Sequence, residues 1–371
     1  MRRLSAFLTF LLLARFVQAA TFYIDPTFSG VARDGSLERP FKSWSEAQPK
    51  MTDNNVICIN RGTTLVAPNF VIGNNISNFT LQDYGNSIER PILLATSLNN
   101  RSKALDFNGR LSNVTIRNIE ITTETGLLTS LVDIDHSANG IKFKGCKFHN
   151  AQWGIRIRSY EPAPYDMVFD LTIEDCLITN TKDDGVYLYK VSGILFLDPE
   201  ISRSNQKWYP GASQDYAAGD NLQSILCNKQ KYVRCKFSRE GTGNKFNVII
   251  SGNTPVSGDY LIFEGCEFRM PISTDQGGAA IFIGQYRGNI DFNFNEVYGD
   301  RGGESLGLSG LWYQATSGNL VSNSNLYNRC RRAISHLNPS GTRAESKDDV
   351  FRLNESEYPS SVTALSPIII R

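Results

Sequence analysis

The sequence predicts an all-β chain folded as a right-handed parallel β-helix, a single-domain solenoid with a short capping helix at its N-terminus. Three observations carry this. The pattern apolar-x-apolar-x-x-apolar-x-apolar recurs eight times with some slippage: NVTIRNIEI from Asn113, GIKFKGCKF from Gly140, DLTIEDCLI from Asp170, GILFLDPEI from Gly193, KQKYVRCKF from Lys229, YLIFEGCEF from Tyr260, NIDFNFNEV from Asn289 and NLVSNSNLY from Asn319. The seventh residues of the copies, Ile119, Cys146, Cys176, Pro199, Cys235, Cys266, Asn295 and Asn325, lie 23 to 36 residues apart, a period at which each repeat stacks on the last. Within each copy apolar residues alternate in two short runs, as Ile141 and Phe143 followed by Cys146 and Phe148, so each copy reads as two strands joined by a tight bend. Helical spacing is scarce.

The elements follow in chain order. Residues 1–20 have the layout of a secretory signal peptide: Arg2 and Arg3, an apolar run from Leu4 to Leu13, then the small residues Ala19 and Ala20. The run is too short to span hydrocarbon and Arg15 interrupts its end, so the expectation is a secreted protein, extracellular or periplasmic, without a membrane anchor. Residues 21–50 are expected to form an opening strand and the cap, residues 51–338 the β-helix, and residues 339–371, polar and with Pro359 and Pro367, a tail or cap that folds back rather than another regular coil. A solenoid grows by adding coils, so about 350 mature residues fit one domain, and a monomer is expected.

The opening segment, TFYIDPTFSGVARDGSLERPFKSWSEA from Thr21, places a strand with Asp-Pro before a Gly-rich loop, Arg39-Pro40-Phe41 and a short helix from about Ser43. It resembles the N-terminus of secreted right-handed β-helix proteins, notably polysaccharide lyases of the pectate lyase-like superfamily. In such proteins the helix covers the open end of the coil stack, and an uncovered first coil would expose strand edges and core.

Charge and cysteine usage narrow the classes. Lys and Arg number 38 against 37 Asp and Glu, and without Arg2, Arg3 and Arg15 the balance is −2, which gives no bulk attraction to nucleic acid. Seven cysteines could suggest disulfides, but Cys146, Cys176, Cys235 and Cys266 share one repeat position. They read as a stack of small buried thiols. Only His136, His149 and His336 are available to a histidine-centred triad or a zinc site. Asn75, Asn78, Asn100, Asn113 and Asn354 open formal glycosylation sequons.

A third strand per coil follows each repeat: LVDID from Leu131, GIRIR from Gly154, GVYLY from Gly185, NLQSI from Asn221, KFNVI from Lys245 and AIFIG from Ala280. Aligned with Val132, Ile155, Val186, Leu222, Phe246 and Ile281 inward, they expose one row of Asp133, Arg156, Tyr187, Gln223, Asn247 and Phe282 and a second containing Gly154, Gly185, Asn221, Lys245 and Ala280. Coils about 4.8 Å apart make these rows contiguous on the scale of a sugar. Asn221, Gln223, Asn247, Asp133 and Phe282 are therefore expected to bind substrate. At the loop ends, Asp183, Asp184, Asp215 and Asp220 form an oxygen-rich cluster of the kind that suits Ca²⁺.

These residues suggest an enzyme that cleaves an acidic, uronate-containing polysaccharide, alginate- or pectin-like, by β-elimination. Lys245 would remove the proton beside the uronate carboxylate, its pKa lowered by neighbouring positive charge and desolvation. Arg156, Arg239 or a bound Ca²⁺ would neutralise that carboxylate, and Tyr187 would protonate the leaving oxygen. The set of roles resembles that of β-helix polysaccharide lyases. Two alternatives stand beside it. Asn180–Gly185 and Gly219-Asp220 echo the NTDG and GDD segments of polygalacturonase-type hydrolases, which need paired carboxylates such as Asp184 and Asp220, though Lys182 is inserted and Asn221 replaces the second Asp. A non-catalytic carbohydrate-binding protein or adhesin is the other, because a fold alone does not give function.

Overall fold

The computed structural model describes residues 19–370 apart from 74, 97–102, 108, 125–129, 160–167, 205–218, 239–245, 254–255, 271–278, 300–308, 315–317, 331, 337–341, 353–361 and 366. The expected signal peptide falls almost wholly outside them. Among the described residues the strands form three sheets, of fourteen, twelve and ten strands, and every described strand pair is parallel. One coil runs through Ala138–Lys144, Lys147–Ala151 and Trp153–Arg158, and the next through Val168–Glu174, Leu177–Thr181 and Val186–Tyr189. Ile141 pairs with Leu171, Phe148 with Ile178 and Ile155 with Val186. Consecutive strands enter different sheets and each sheet gains one strand per coil, which is a parallel β-helix. No helix among the described residues is long and apolar enough to cross a membrane.

The bend inside each repeat is a single left-handed residue. Asn118, Gly145, Asp175, Asp198, Arg234, Gly265, Phe294, Ser324 and Asp348 all have φ between +50° and +64°, just before the residue that turns inward. Short polar side chains and glycine adopt this region most readily; Arg234 and Phe294 show that the stacked strands on both sides impose it regardless. Inside, like packs on like. Tyr232 stacks on Phe263 at 4.7 Å and Phe237 on Phe268 at 5.2 Å between ring centroids, and each such side chain contributes about 1.5–3 kcal/mol on burial. All seven cysteines are buried free thiols, among them Cys146, Cys176, Cys235 and Cys266, whose shared phase in the repeat implies it.

In the last coils the inward bend position changes from thiol to amide to carboxylate. Asn295 Oδ1 accepts from the Cys266 main-chain N–H at 2.8 Å, Asn325 Oδ1 from that of Asn295 at 2.7 Å, and Asp349 Oδ1 from that of Asn325 at 2.8 Å. Ser322 and Ser346 donate to the other Asp349 oxygen at 2.7 and 2.6 Å. Burial pushes the Asp349 carboxyl above its ordinary value. On the outside, the sequon residue Asn113 donates to Asn78, itself a donor to Asn54, at 3.0 and 3.1 Å.

At the N-terminus the strand Thr21–Ile24 joins the fourteen-stranded sheet and the helix Trp44–Ala47 follows. Ser43 is its N-cap, accepting from the Glu46 N–H. Trp44 and Ala47 are buried; the Trp44 ring meets Phe70 edge-on at 5.2 Å, and its Nε1–H donates to the Val71 carbonyl. The helix thus packs through Trp44 on the strand Phe70–Ile72.

The C-terminal expectation is corrected. Thr342–Lys347 and Val350–Arg352, then Val362–Leu365 and Ile368–Ile370, extend the fourteen- and twelve-stranded sheets in parallel register. The polar residues that suggest a tail are the outward half of the alternation: Ala344 and Phe351 are buried while Arg343 and Arg352 are exposed.

Candidate functional site

The outer face of the ten-stranded sheet gathers the polar and aromatic residues that its alternation turns outward. In register, one column runs Asp106, Asp133, Arg156, Tyr187, Gln223, Ile249, Phe282, Trp312, Ser335. Asp133, Arg156, Tyr187, Gln223 and Phe282 therefore share the column that the sequence predicts.

Asn247 does not. Leu222 pairs with Val248, not with Phe246, so the expected alignment of Lys245–Ile249 is two residues out. A slip of two leaves the in-out alternation intact, which is why alternation could not detect it. Asn247, fully buried, comes to lie beside Asn221, 2% exposed, in an inward corner column with Gly154, Gly185 and Ala280. Gly154, Gly185, Asn221 and Ala280, expected in a second outward row, are interior, because at this corner each is followed by a residue that also turns inward. Asn221 Nδ2 donates to Asn247 Oδ1 at 2.6 Å and to the Ser238 carbonyl at 2.9 Å; Asn247 Nδ2 donates to the Phe237 carbonyl at 2.9 Å. Both amides are committed to main chain and to each other, so neither is available to substrate. Glycine is required lower in this column, since a Cβ on Gly185 would lie 2.7 Å from the Asn221 carbonyl oxygen.

Alternation itself breaks at this corner, where Asn247 and Val248 both turn inward in succession, and this leaves Phe246 on the outside. Its ring lies 4.9 Å from Phe282 and 6.0 Å from Trp312, and Phe282 meets Trp312 edge-on at 5.4 Å. Only Phe282 of the three is foreseen from sequence; the signal for Trp312 is the strand SGLWYQ, which repeats the alternation of AIFIG one coil later.

Towards the N-terminal coils the face is charged and internally paired. Asp133 has no exposure and accepts from Arg156 Nε at 2.9 Å and from Arg158 at 3.1 Å. The Arg156 guanidinium also lies over the Trp153 ring at 4.4 Å. Lys103 bridges Asp106 and Asp135 at 3.2 and 3.0 Å; burial opposes its charge, but the hydrogen bond to Asp135 and the neighbouring carboxylates hold its pKa above the ordinary value.

Between the two halves stand the carboxyls. The Gly154 N–H bonds the Asp184 carbonyl, the Gly185 N–H bonds the Asp220 carbonyl, and the Asn221 N–H bonds that of Asn247. This pairing sets Asp184 beside Asp220, with Trp153 one coil below and Phe246 one coil above. Asp184 Oδ1 accepts the Asp220 main-chain N–H at 2.7 Å. Gly219 allows the approach, since a Cβ there would come within 2.6 Å of the Asp183 main chain. Asp184 and Asp220 are each 3% exposed. Burial, then the charge of Asp183, pushes the Asp184 carboxyl well above its usual range, and burial raises Asp183 as well. Lys245, Arg239 and Asp215 lie outside the described residues.

Among the described residues a calcium ion finds few ligands here: hard cations take oxygens in sets of six to eight, no three acidic, histidine or cysteine side chains converge as such a set, and one Asp184 oxygen already accepts a main-chain N–H.

No family model matches the chain, and no curated protein matches its sequence. Solved structures share its fold. An alginate lyase from a Paenibacillus strain superposes with a TM-score of 0.52 at 12% identity, covering 86% of this chain and 97% of that one. A GH87 α-1,3-glucanase from Streptomyces thermodiastaticus gives 0.51 at 12%, covering 95% and 69%. A GH136 lacto-N-biosidase from Eubacterium ramulus gives 0.50 at 12%, covering 93% and 68%. The protein therefore has the parallel β-helix fold found in polysaccharide lyases and glycoside hydrolases.

Proposed function

We propose that the protein is a secreted enzyme that cleaves a polysaccharide laid along the outer face of the ten-stranded sheet, and that Asp184 and Asp220 carry out the cleavage by hydrolysis. The observation that supports this is the placement of two buried aspartates on neighbouring coils between Trp153 and Phe246, the Asp184 carboxyl accepting the Asp220 main-chain N–H and held well above its usual pKa. A carboxyl kept protonated can give its proton to the glycosidic oxygen, while its partner takes one from the attacking water. Arg156, fixed by Asp133 and stacked on Trp153, and Tyr187 beside it are placed to position the chain.

A second reading keeps β-elimination. In it Lys245, next to Phe246 in sequence, would be the base, Arg156 or Arg239 would neutralise a uronate and Tyr187 would protonate the leaving oxygen. Calcium held with the help of Asp215 belongs to that reading.

Incubation with a panel of neutral and uronate polysaccharides separates the two. Hydrolysis produces reducing ends without ultraviolet absorbance, is abolished by Asp184→Asn and survives Lys245→Ala. Unsaturated ends that disappear with Lys245→Ala would establish the lyase instead, and no new ends on any polymer would leave a binding scaffold.

A further inference from the structure

The charge on the proposed substrate face is divided along the helix axis. On the coils from Lys103 to Arg158 the face carries Lys103, Asp106, Asp133, Asp135, Arg156 and Arg158, tied to one another. From Leu222–Ile225 to Ser309–Gln314 the described outward residues are Gln223, Ile225, Phe246, Ile249, Ser251, Phe282 and Trp312, with Gln314 at the end. None is charged. Phe246 belongs to both features, standing one coil from Asp220 and in ring contact with Phe282 and Trp312, so the aromatic cluster starts at the carboxyl pair.

From this we infer that Phe246, Phe282 and Trp312 form a binding platform for uncharged pyranose residues, and that the sugars on this side of the cleaved bond carry no carboxylate. This rests on the reading of the face as the polysaccharide site. The C–H face of a pyranose is apolar and packs on aromatic rings, while its equatorial hydroxyls reach sideways to groups such as Gln223 and Ser251. A uronate carboxylate set against these rings would lose hydration to an apolar surface, which disfavours it.

The test is isothermal titration calorimetry on the full chain with neutral β- and α-linked gluco-oligosaccharides and N-acetylated oligosaccharides, against oligogalacturonate and oligomannuronate of equal length. At least one neutral oligosaccharide is expected to bind about tenfold or more tightly than either uronate. Trp312→Ala should weaken it by about tenfold or more. Phe282→Leu keeps an apolar side chain but removes the ring, and should weaken binding with an unchanged melting temperature even if Trp312→Ala fails to fold. Equal or tighter uronate binding overturns the inference, as does a Phe282→Leu variant that binds like wild type. If the wild type cleaves a polysaccharide while these variants bind normally, the platform fails and the enzyme reading stands; absence of both binding and cleavage on every polymer defeats both.

Discussion

Asp133, sealed from solvent, is held by two arginines from the next coil, Arg156 at 2.9 Å and Arg158 at 3.1 Å. An ionised carboxylate in such a place is tolerated only because its partners are fixed, and removing one leaves charge incompletely compensated. Arg156→Ala should cost about 3 kcal/mol in chemical denaturation, more than an exposed ion pair provides. A loss below about 0.5 kcal/mol would mean that Arg158 alone neutralises Asp133.

The raised carboxyl of Asp184 couples stability to pH with a definite sign. In the folded protein it keeps a proton that the unfolded chain releases near pH 3.8, so its contribution is fully present below that value and is lost as pH rises towards the folded value. Asp184→Asn keeps an acceptor for the Asp220 N–H, and denaturation midpoints measured across that window should fall less steeply with pH than in wild type. The same variant should lower kcat by about a hundredfold or more, with activity in the wild type declining on the alkaline side as the acid ionises.

Chelation gives a separate reading of the acidic group. Because no three acidic, histidine or cysteine side chains converge among the described residues, EDTA treatment is expected to leave both activity and melting temperature unchanged. A loss restored by added calcium would assign the group to a cation.

The buried chain from Cys266 through Asn295 and Asn325 to Asp349 should behave as one unit. Asn325→Ala would orphan the Asn295 N–H and remove the Nδ2 donor from the Phe292 carbonyl and from Asp349 Oδ1, which keeps the main-chain N–H of residue 325, at about 2–4 kcal/mol for the groups left unpaired. Thermal denaturation measures it, and a double variant with Asp349→Ala should lose less than the sum of the single losses.

The repeat alone led to the architecture because a period of 23 to 36 residues with paired apolar runs has few other physical solutions. Ser43 and Trp44 placed the N-terminal helix for similarly local reasons. Two properties of the alternation misled: it does not report which rung a strand occupies, which put Lys245–Ile249 two residues out, and it fails at a corner where two consecutive residues turn inward, which put Asn221 and Asn247 on the surface and Phe246 in the core. The final strands were read as a tail because their outward polar residues and prolines outweigh a short apolar half. The paired carboxyls were visible as Asp184 and Asp220 in sequence. What sequence could not supply is the depth of their burial, which raises the Asp184 carboxyl.

The left-handed bends have a consequence for how such a protein changes over time. Because each coil turns at the same backbone angle whether the residue is glycine, arginine or phenylalanine, each coil leaves the stack in the posture in which it entered. Duplicating or deleting one whole coil would lengthen or shorten the face by a single step while the neighbouring rungs still meet, so the length of the groove is open to inheritance in units of one coil.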